Sequence, residues 1–252
     1  MGTEKQKRKK MKLTLFYIIM FFFVLGGAGT YFAGRKQNPA ERKKGWLKYF
    51  VYFIIVILLY ACICFTVKIF PWICGLIVIA GLVEIIRLQK KNPQKKTAFY
   101  AILLVYMLIS TGFYFFGNLS QSILLYTFFT VCTFDAFCQV VGQLFGKNKI
   151  CPQISPNKTY EGLLGGLFMS VCTFFIIGKT LEFTASYTIV VGFGICVCAF
   201  MGDLAASWIK RKYSVKDFSS ALPGQGGFLD RFDSFITAGA FVFLYHLIIS
   251  MA

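Results

Sequence analysis

The sequence predicts an all-α, polytopic integral membrane protein with about eight transmembrane helices, and two observations carry this reading. Hydrophobic residues make up 57% of the 252 residues and charged ones only 15%, where a soluble domain carries about 25% charge. Apolar runs of about 20 residues, the length that crosses a bilayer as a helix, recur along the whole chain. The repetition argues against a globular domain with a core of its own. One integral membrane domain is the simplest organisation.

The first run, 13–33, is too long for the core of a signal peptide and lacks a small-residue cleavage site, so it is read as retained. Met1-Gly2-Thr3 resembles a myristoylation start, but Gln6 stands where Ser or Thr is required. Six Lys/Arg precede this run in residues 1–12 and six follow it in 34–48. One crossing cannot keep both flanks on the same side. Two geometries stay open: an N-terminus outside against the charge rule, or a re-entrant hairpin turning at Gly26-Gly27-Ala28-Gly29.

The remaining runs are 46–67, 69–86, 98–116, 119–143, 162–178, 186–207 and 232–250. Their connections alternate. Loop 87–96 carries five Lys/Arg, 145–160 three and 208–231 five, while the turns near 68, 117–121 and 178–185 are almost uncharged. This positive-inside pattern puts 34–48, 87–96, 145–160 and 208–231 in the cytoplasm and the C-terminus outside. The net charge of +17 is therefore topological rather than a nucleic-acid footprint. The basic loops are placed to touch anionic lipid headgroups.

The nine cysteines lie mostly inside spans and form no C-x-x-C framework, as small buried hydrophobes do. His246, the single histidine, sits deep in the last run and reads as packed or lipid-facing. The N-terminal half, 1–118, offers almost no chemistry. Glu84 and Arg87, at i,i+3 spacing, read there as a snorkelling interfacial pair.

The C-terminal half, 119–252, is different. Asp135 lies inside the fifth run, where an ionisable group is a functional candidate by default. Gln139 and Gln143 follow at i+4 and i+8 on the same helical face, which fits either a polar seam between helices or a cavity wall. Residues Ser155 to Gly162 can cap a helix, with Asn157 or Thr159 as N-cap and Glu161 in the first turn. Lys158 then stands beside a helix N-terminus, a ready anion site. Asp203 lies one turn inside the end of the seventh run, followed by Ser207, Lys210 and Arg211.

The loop KDFSSALPGQGGFLDRFDS, from Lys216 to Ser234, gathers Lys216, Asp217, Asp230, Arg231 and Asp233 around Gly224, Gly226 and Gly227. Glycines admit close backbone approach and can present N–H groups to phosphate. Asp230 and Asp233, at i,i+3 in the first turn of the last span, are expected to point together toward the loop. Carboxylates with phosphate oxygens are the usual ligands of Mg²⁺, and Lys and Arg clamp phosphate. The constellation reads as a metal-assisted phosphoryl or nucleotidyl site at the cytoplasmic face. Residue by residue, a solvated loop with capping Asp and positive-inside Lys is the better account; taken as one constellation, the residues favour the site. Asp135 and Asp203 also suit a cation path, but the polar motifs all lie near one face.

Residues 207–233 resemble the signature of the phosphatidate cytidylyltransferases. The matching positions are Ser207, Ile209, Lys210, Arg211, Lys216, Asp217, Ser219, Leu222, Pro223, Gly226, Gly227, Phe228, Asp230, Arg231, Phe232 and Asp233. Upstream, Asp135, Gly142, Gly146 and Lys147 are similar to the family's Asp…Gly…Gly-Lys stretch. Ser155, Pro156, Lys158 and Thr159 match its Ser-Pro-x-Lys-Thr, and Gly202, Asp203 and Leu204 its Gly-Asp-Leu. The resemblance covers about 130–240. It departs at Gln225, where the family has His, at Gln143 for Lys or Arg, at Gln139 near its usual Tyr, and at Ala206 for Glu.

The resemblance implies transfer of CMP from CTP to phosphatidate, giving CDP-diacylglycerol and pyrophosphate; the charge pattern puts the site on the cytoplasmic side, and compactness without appended domains suggests a bacterial cytoplasmic membrane. The resemblance also implies Mg²⁺ held by Asp217, Asp230 and Asp233 with Asp203, and a second, monovalent cation such as K⁺. It gives catalytic roles to Lys216, Asp217, Asp230 and Arg231. Phosphate and substrate contacts fall to Lys210, Arg211, Lys216, Arg231, Ser155, Lys158, Thr159, Gln225, Gly226, Gly227 and Asp135. The neutralised positions leave the lipid acceptor open. Alternatives are an isoprenoid ether lipid or polyprenyl phosphate, a CTP-dependent lipid kinase, or a non-catalytic lipid-binding protein. Membrane lipid is an expected partner, nucleic acid is not, and a homodimer stays open.

Overall fold

The structure is a computed structural model that describes residues 2–35 and 38–251. It contains eight long helices: α1 (Gly2–Gly34), α2 (Pro39–Phe65), α3 (Phe70–Lys91), α4 (Lys96–Phe116), α5 (Gln121–Phe145), α6 (Tyr160–Thr180), α7 (Ala185–Lys212) and α8 (Leu229–Met251). All eight are long and apolar enough to cross a membrane, one for each apolar run. A 3₁₀ turn, Val67–Ile69, joins α2 to α3.

The re-entrant geometry considered for the first run does not form. α1 is one helix that continues through Gly26–Gly29. A helical glycine costs only about 1 kcal/mol relative to alanine, and here the gap it leaves is used. The Tyr49 hydroxyl of α2 donates to the Phe23 carbonyl at 2.7 Å, and a Cβ on Gly27 would stand 3.0 Å from that hydroxyl.

Local chemistry sets several helix starts. Pro39 and Pro71 occupy the first turns of α2 and α3, where no amide partner is lost. Thr159 is the N-cap of α6, accepting from Gly162 N at 3.1 Å, as the sequence suggests. Thr184 does the same for α7 through Tyr187 N at 3.3 Å.

α5 is the central post, with 56% of its apolar window buried against 12% for α1. It meets α6 at very short range. A Cβ on Gly162 would lie 2.6 Å from the Cys138 carbonyl, and one on Gly166 would collide with Cys138 Sγ. Small residues at such crossings let helix backbones approach in lipid. α8 lies against α4 and α7, and residue 202 can only be glycine where α7 crosses Thr237 and the Asp233 carbonyl.

Beyond Asp135, toward the start of α5, the core is aromatic. Tyr126, Phe128, Phe174, Phe113 and Phe116 are fully buried, and Phe113 meets Phe235 edge-on at 5.5 Å. The Tyr126 hydroxyl is satisfied by the Thr188 carbonyl at 2.5 Å. His246 is packed, sharing a 2.9 Å hydrogen bond with the Tyr187 hydroxyl. All nine cysteines are free thiols.

Between α5 and α6 stands a small antiparallel hairpin, β1 (Lys149–Cys151) and β2 (Ser155–Thr159), paired Lys149 with Thr159 and Cys151 with Ser155 around a bulge. It is absent from the sequence expectation. Glu161 holds its base by accepting from Lys147 N at 3.1 Å and from Asn148 Nδ2 at 2.8 Å.

Candidate functional site

The ends of α5, α7 and α3, the starts of α2, α6 and α8, the hairpin and the loop 213–228 converge on one end of the bundle. Each predicted residue has a definite place there.

The glycine-rich loop is shaped by a tight turn. Gln225 N donates to the Leu222 carbonyl at 2.9 Å and Leu222 N to the Gly226 carbonyl at 2.8 Å. Pro223 is the second residue of this turn and Gly224 the third, with φ +73°. That is type II geometry, which wants proline then a residue able to adopt positive φ. Gly226, at φ +87°, closes it. Gln225 turns toward α2 and its amide donates to the Lys48 carbonyl at 2.5 Å.

Two carboxylates pin this loop. Asp230 Oδ2 accepts from Phe218 N and Gly227 N, both at 2.8 Å. Its Oδ1 lies 2.6 Å from Lys210 Nζ, and the two side chains are only 5% and 13% exposed. The second carboxylate is Glu84. Its Oε1 accepts from Ser219 Oγ at 2.6 Å and Phe228 N at 2.9 Å, and its Oε2 from Leu229 N at 2.9 Å. The expected Glu84–Arg87 surface pair is therefore wrong: Glu84 is buried and Arg87 exposed. Gly227 has a reason other than phosphate access, since a Cβ there would lie 2.5 Å from Glu84 Oε1.

Asp230 and Asp233 do not point together. Asp230 turns to the loop, while Asp233 lies in the field of Asp203 and Asp135. Oδ1 of Asp233 accepts its neighbour's Ser234 N at 2.8 Å, and the Ser234 hydroxyl reaches Asp135 Oδ1 at 3.4 Å. α5, α7 and α8 thus each contribute one aspartate to a shared acidic centre. Lys158 of the hairpin faces it, 3.0 Å from Asp203 Oδ2 and 4.5 Å from the Phe200 ring centroid. Lys158 is 14% exposed and Asp203 42%, so the centre opens to solvent on the Asp203 side. Ser207 Oγ stands 3.5 Å from Asp203 Oδ1.

Arg231 reaches the other flank. Its guanidinium lies 5.9 Å from the Tyr52 ring of α2, its field acts on Asp135, and its buried Nε has no partner. Arg211 donates through Nε to the Ile154 carbonyl at 3.1 Å, tying the hairpin tip to α7. Lys216 and Asp217 are exposed at the mouth of the loop, as are Gln139 and Gln143 on α5. Asp217 Oδ1 and Asp230 Oδ2 both flank Gly226, where a Cβ would lie 3.3 and 2.8 Å from them. Ser155 is half-buried on β2.

Among the described residues, no three His, Cys, Asp or Glu side chains form a ready metal cage. Magnesium seldom uses one. It is commonly held by one or two carboxylates together with substrate phosphates. Asp203 and Asp233, backed by Asp135, offer the hard oxygen donors it takes, and Lys158 lies 3.0 Å from Asp203 Oδ2. The donor chemistry fits.

The profile of the cytidylyltransferase family matches residues 116–249, from the end of α4 through α8. The chain belongs to the cytidylyltransferase family. Over 133 residues it is 39% identical to the phosphatidate cytidylyltransferase of Staphylococcus aureus (strain COL), covering 51% of each chain. The same figures hold for the Staphylococcus haemolyticus (strain JCSC1435) protein of that name. For that of Bacillus subtilis (strain 168) they are 38% over 150 residues and 56% of each chain. The chain thus spans about half the length of the curated relatives it matches. In this cytidylyltransferase-family chain the acidic centre and most of the loop's anchors fall inside the matched half. Glu84, Tyr52 and the Lys48 carbonyl do not.

Proposed function

We propose that this chain transfers CMP from CTP to phosphatidate, forming CDP-diacylglycerol and releasing pyrophosphate at the cytoplasmic face of a bacterial membrane. The observation that carries the reading is the acidic centre of Asp135, Asp203 and Asp233 beside a rigid glycine loop flanked by Lys and Arg, in a chain of the cytidylyltransferase family.

In this reaction a phosphate oxygen of the lipid attacks the α-phosphorus of CTP. The bond from that phosphorus to the bridging oxygen breaks, and the electron pair leaves with pyrophosphate. The attacking oxygen is already anionic, so no strong base is required. The difficulty is bringing two anions together, a matter of positioning and electrostatics. Mg²⁺ would supply charge neutralisation when bound to Asp203 and Asp233, with the exposed Asp217 as a further oxygen donor, whereas both oxygens of Asp230, expected as a ligand, are taken by Lys210 and two loop amides. Of the predicted phosphate-binding cations, Lys216 at the exposed loop mouth and Arg231, with its unpartnered Nε, are best placed. Lys158 keeps Asp203 oriented, and Lys210, committed to Asp230, shapes the loop. Acyl chains would enter sideways from the bilayer between helices.

The test uses purified protein in lipid–detergent micelles with Mg²⁺, phosphatidate and α-labelled CTP. Labelled lipid and equimolar pyrophosphate are expected, and neither with Asp233→Asn. Release of CDP instead of pyrophosphate would point to a lipid kinase. Activity with polyprenyl or ether-lipid phosphate alone would reassign the acceptor. Absence of CTP binding would leave a lipid-binding protein.

A further inference from the structure

Glu84 lies on α3, outside the family match at 116–249, yet it is only 3% exposed and takes three hydrogen bonds from the loop. The donors are 135, 144 and 145 residues away in sequence. Two of them, Phe228 N and Leu229 N, open α8. The first amides of a helix have no partner within it. They are usually capped by a side chain just before the helix, and a negative charge there is favoured by the helix dipole. Here the cap comes from another span. No ion pair with Glu84 forms among the described residues, so the buried carboxylate depends on these donors.

Glu84 and Asp230 divide the work. Asp230 holds Phe218 N and Gly227 N from inside the loop, while Glu84 holds Ser219, Phe228 and Leu229 from outside it. Between them they fix both ends of segment 218–229. Asp217 immediately precedes this segment, and Asp230, Arg231 and Asp233 follow it within one helical turn. A shift of one hydrogen bond at Phe228 or Leu229 would turn the first turn of α8, moving Arg231 and Asp233 relative to Asp203.

We propose that Glu84 is a positioning residue for cytidylyl transfer, capping α8 from α3 so that the loop and the α8 carboxylates keep one register. The activity half of this inference rests on the cytidylyltransferase reading. The geometric half does not.

The experiment therefore has two readouts on the full chain in lipid nanodiscs: amide exchange over 217–233, and label transfer resolved into kcat and KM. Glu84→Gln keeps the side-chain shape but presents an NH₂ to a donor. Ser219→Ala removes one donor and leaves the cap. Glu84→Gln is expected to accelerate exchange at Phe228 and Leu229 and to lower kcat at least about tenfold with KM for phosphatidate within about twofold, the mark of an interaction realised in the transition state. Ser219→Ala should do less, and should add little in the Glu84→Gln background, as members of one network do. Free exchange of the two amides in the wild type overturns the proposal. So does unaltered kcat in Glu84→Gln despite accelerated exchange, or a loss of kcat that tracks only a loss of folded protein. A wild type that transfers no label to any lipid phosphate refutes the activity reading. Exchange alone then decides whether Glu84 positions the loop: unchanged exchange in Glu84→Gln overturns it and acceleration upholds it.

Discussion

The Lys210–Asp230 pair allows a quantitative test of how the loop is held. The two charges are 2.6 Å apart and 13% and 5% exposed, and Asp230 also accepts two backbone amides at 2.8 Å. Asp230→Ala leaves an ammonium and two N–H groups without partners. Removing one member of a buried ion pair costs about 3–5 kcal/mol. Lys210→Met leaves the carboxylate its two amide donors and loses one charge-assisted bond, about 1.5–3 kcal/mol. In the double variant the stranded ammonium is gone. Its destabilisation should fall short of the sum of the singles by about 1.5–3 kcal/mol. Unfolding in mixed micelles can be followed by fluorescence of the three tryptophans, one of which, Trp208, lies two residues before Lys210. Additivity within about 0.5 kcal/mol would refute the pairing. So would an Asp230→Ala effect below about 1 kcal/mol, the range of exposed pairs.

Three further outcomes are expected. Gly227→Ala places a Cβ 2.5 and 2.7 Å from the Glu84 oxygens and should destabilise by about 1–3 kcal/mol; the same unfolding assay should find it tolerated in a Glu84→Ala background. Lys158→Met should change stability by less than about 1 kcal/mol, since Asp203 is 42% exposed. Yet it should slow label transfer about a hundredfold if Lys158 orients Asp203 on the reacting phosphates, which initial rates beside an unfolding curve will show. In a variant keeping only Cys151, on the hairpin strand β1, an impermeant maleimide should label inverted membrane vesicles and not intact cells; the reverse would invert the assigned topology.

The eight spans were legible because apolar length alone decides a membrane crossing. The loop could be read as one constellation, with Lys216 and Asp217 before its glycines and Asp230, Arg231 and Asp233 after them. What stayed hidden was who holds whom. Glu84 has a plausible local partner in Arg87 one turn on, and nothing local reveals donors more than a hundred residues away. A signal was present. Gly81, Glu84, Ile85 and Leu88 form one buried stripe of α3, and a carboxylate on a stripe of that kind asks for donors from another element. Asp233 was misplaced for a related reason. Spacing of i,i+3 gives a shared face in a regular helix, but in the first turn of α8 the Asp230 carboxylate turns back to the Phe218 and Gly227 amides and Lys210. The Asp230 side chain follows the loop and that of Asp233 follows the helix. The hairpin was missed because its eight strand residues, Lys149–Cys151 and Ser155–Thr159, are short and polar, without the alternation a strand half-buried in a core displays.

The aromatic core below Asp135 carries a physiological consequence. Packed among Tyr126, Phe128 and Phe174 are the buried hydroxyls of Thr127, Thr130, Thr133, Ser170 and Thr173, all of them neutral. An ion descending past the acidic centre would meet hydroxyls there but no buried counter-charge among the described residues, a costly passage inside a bilayer.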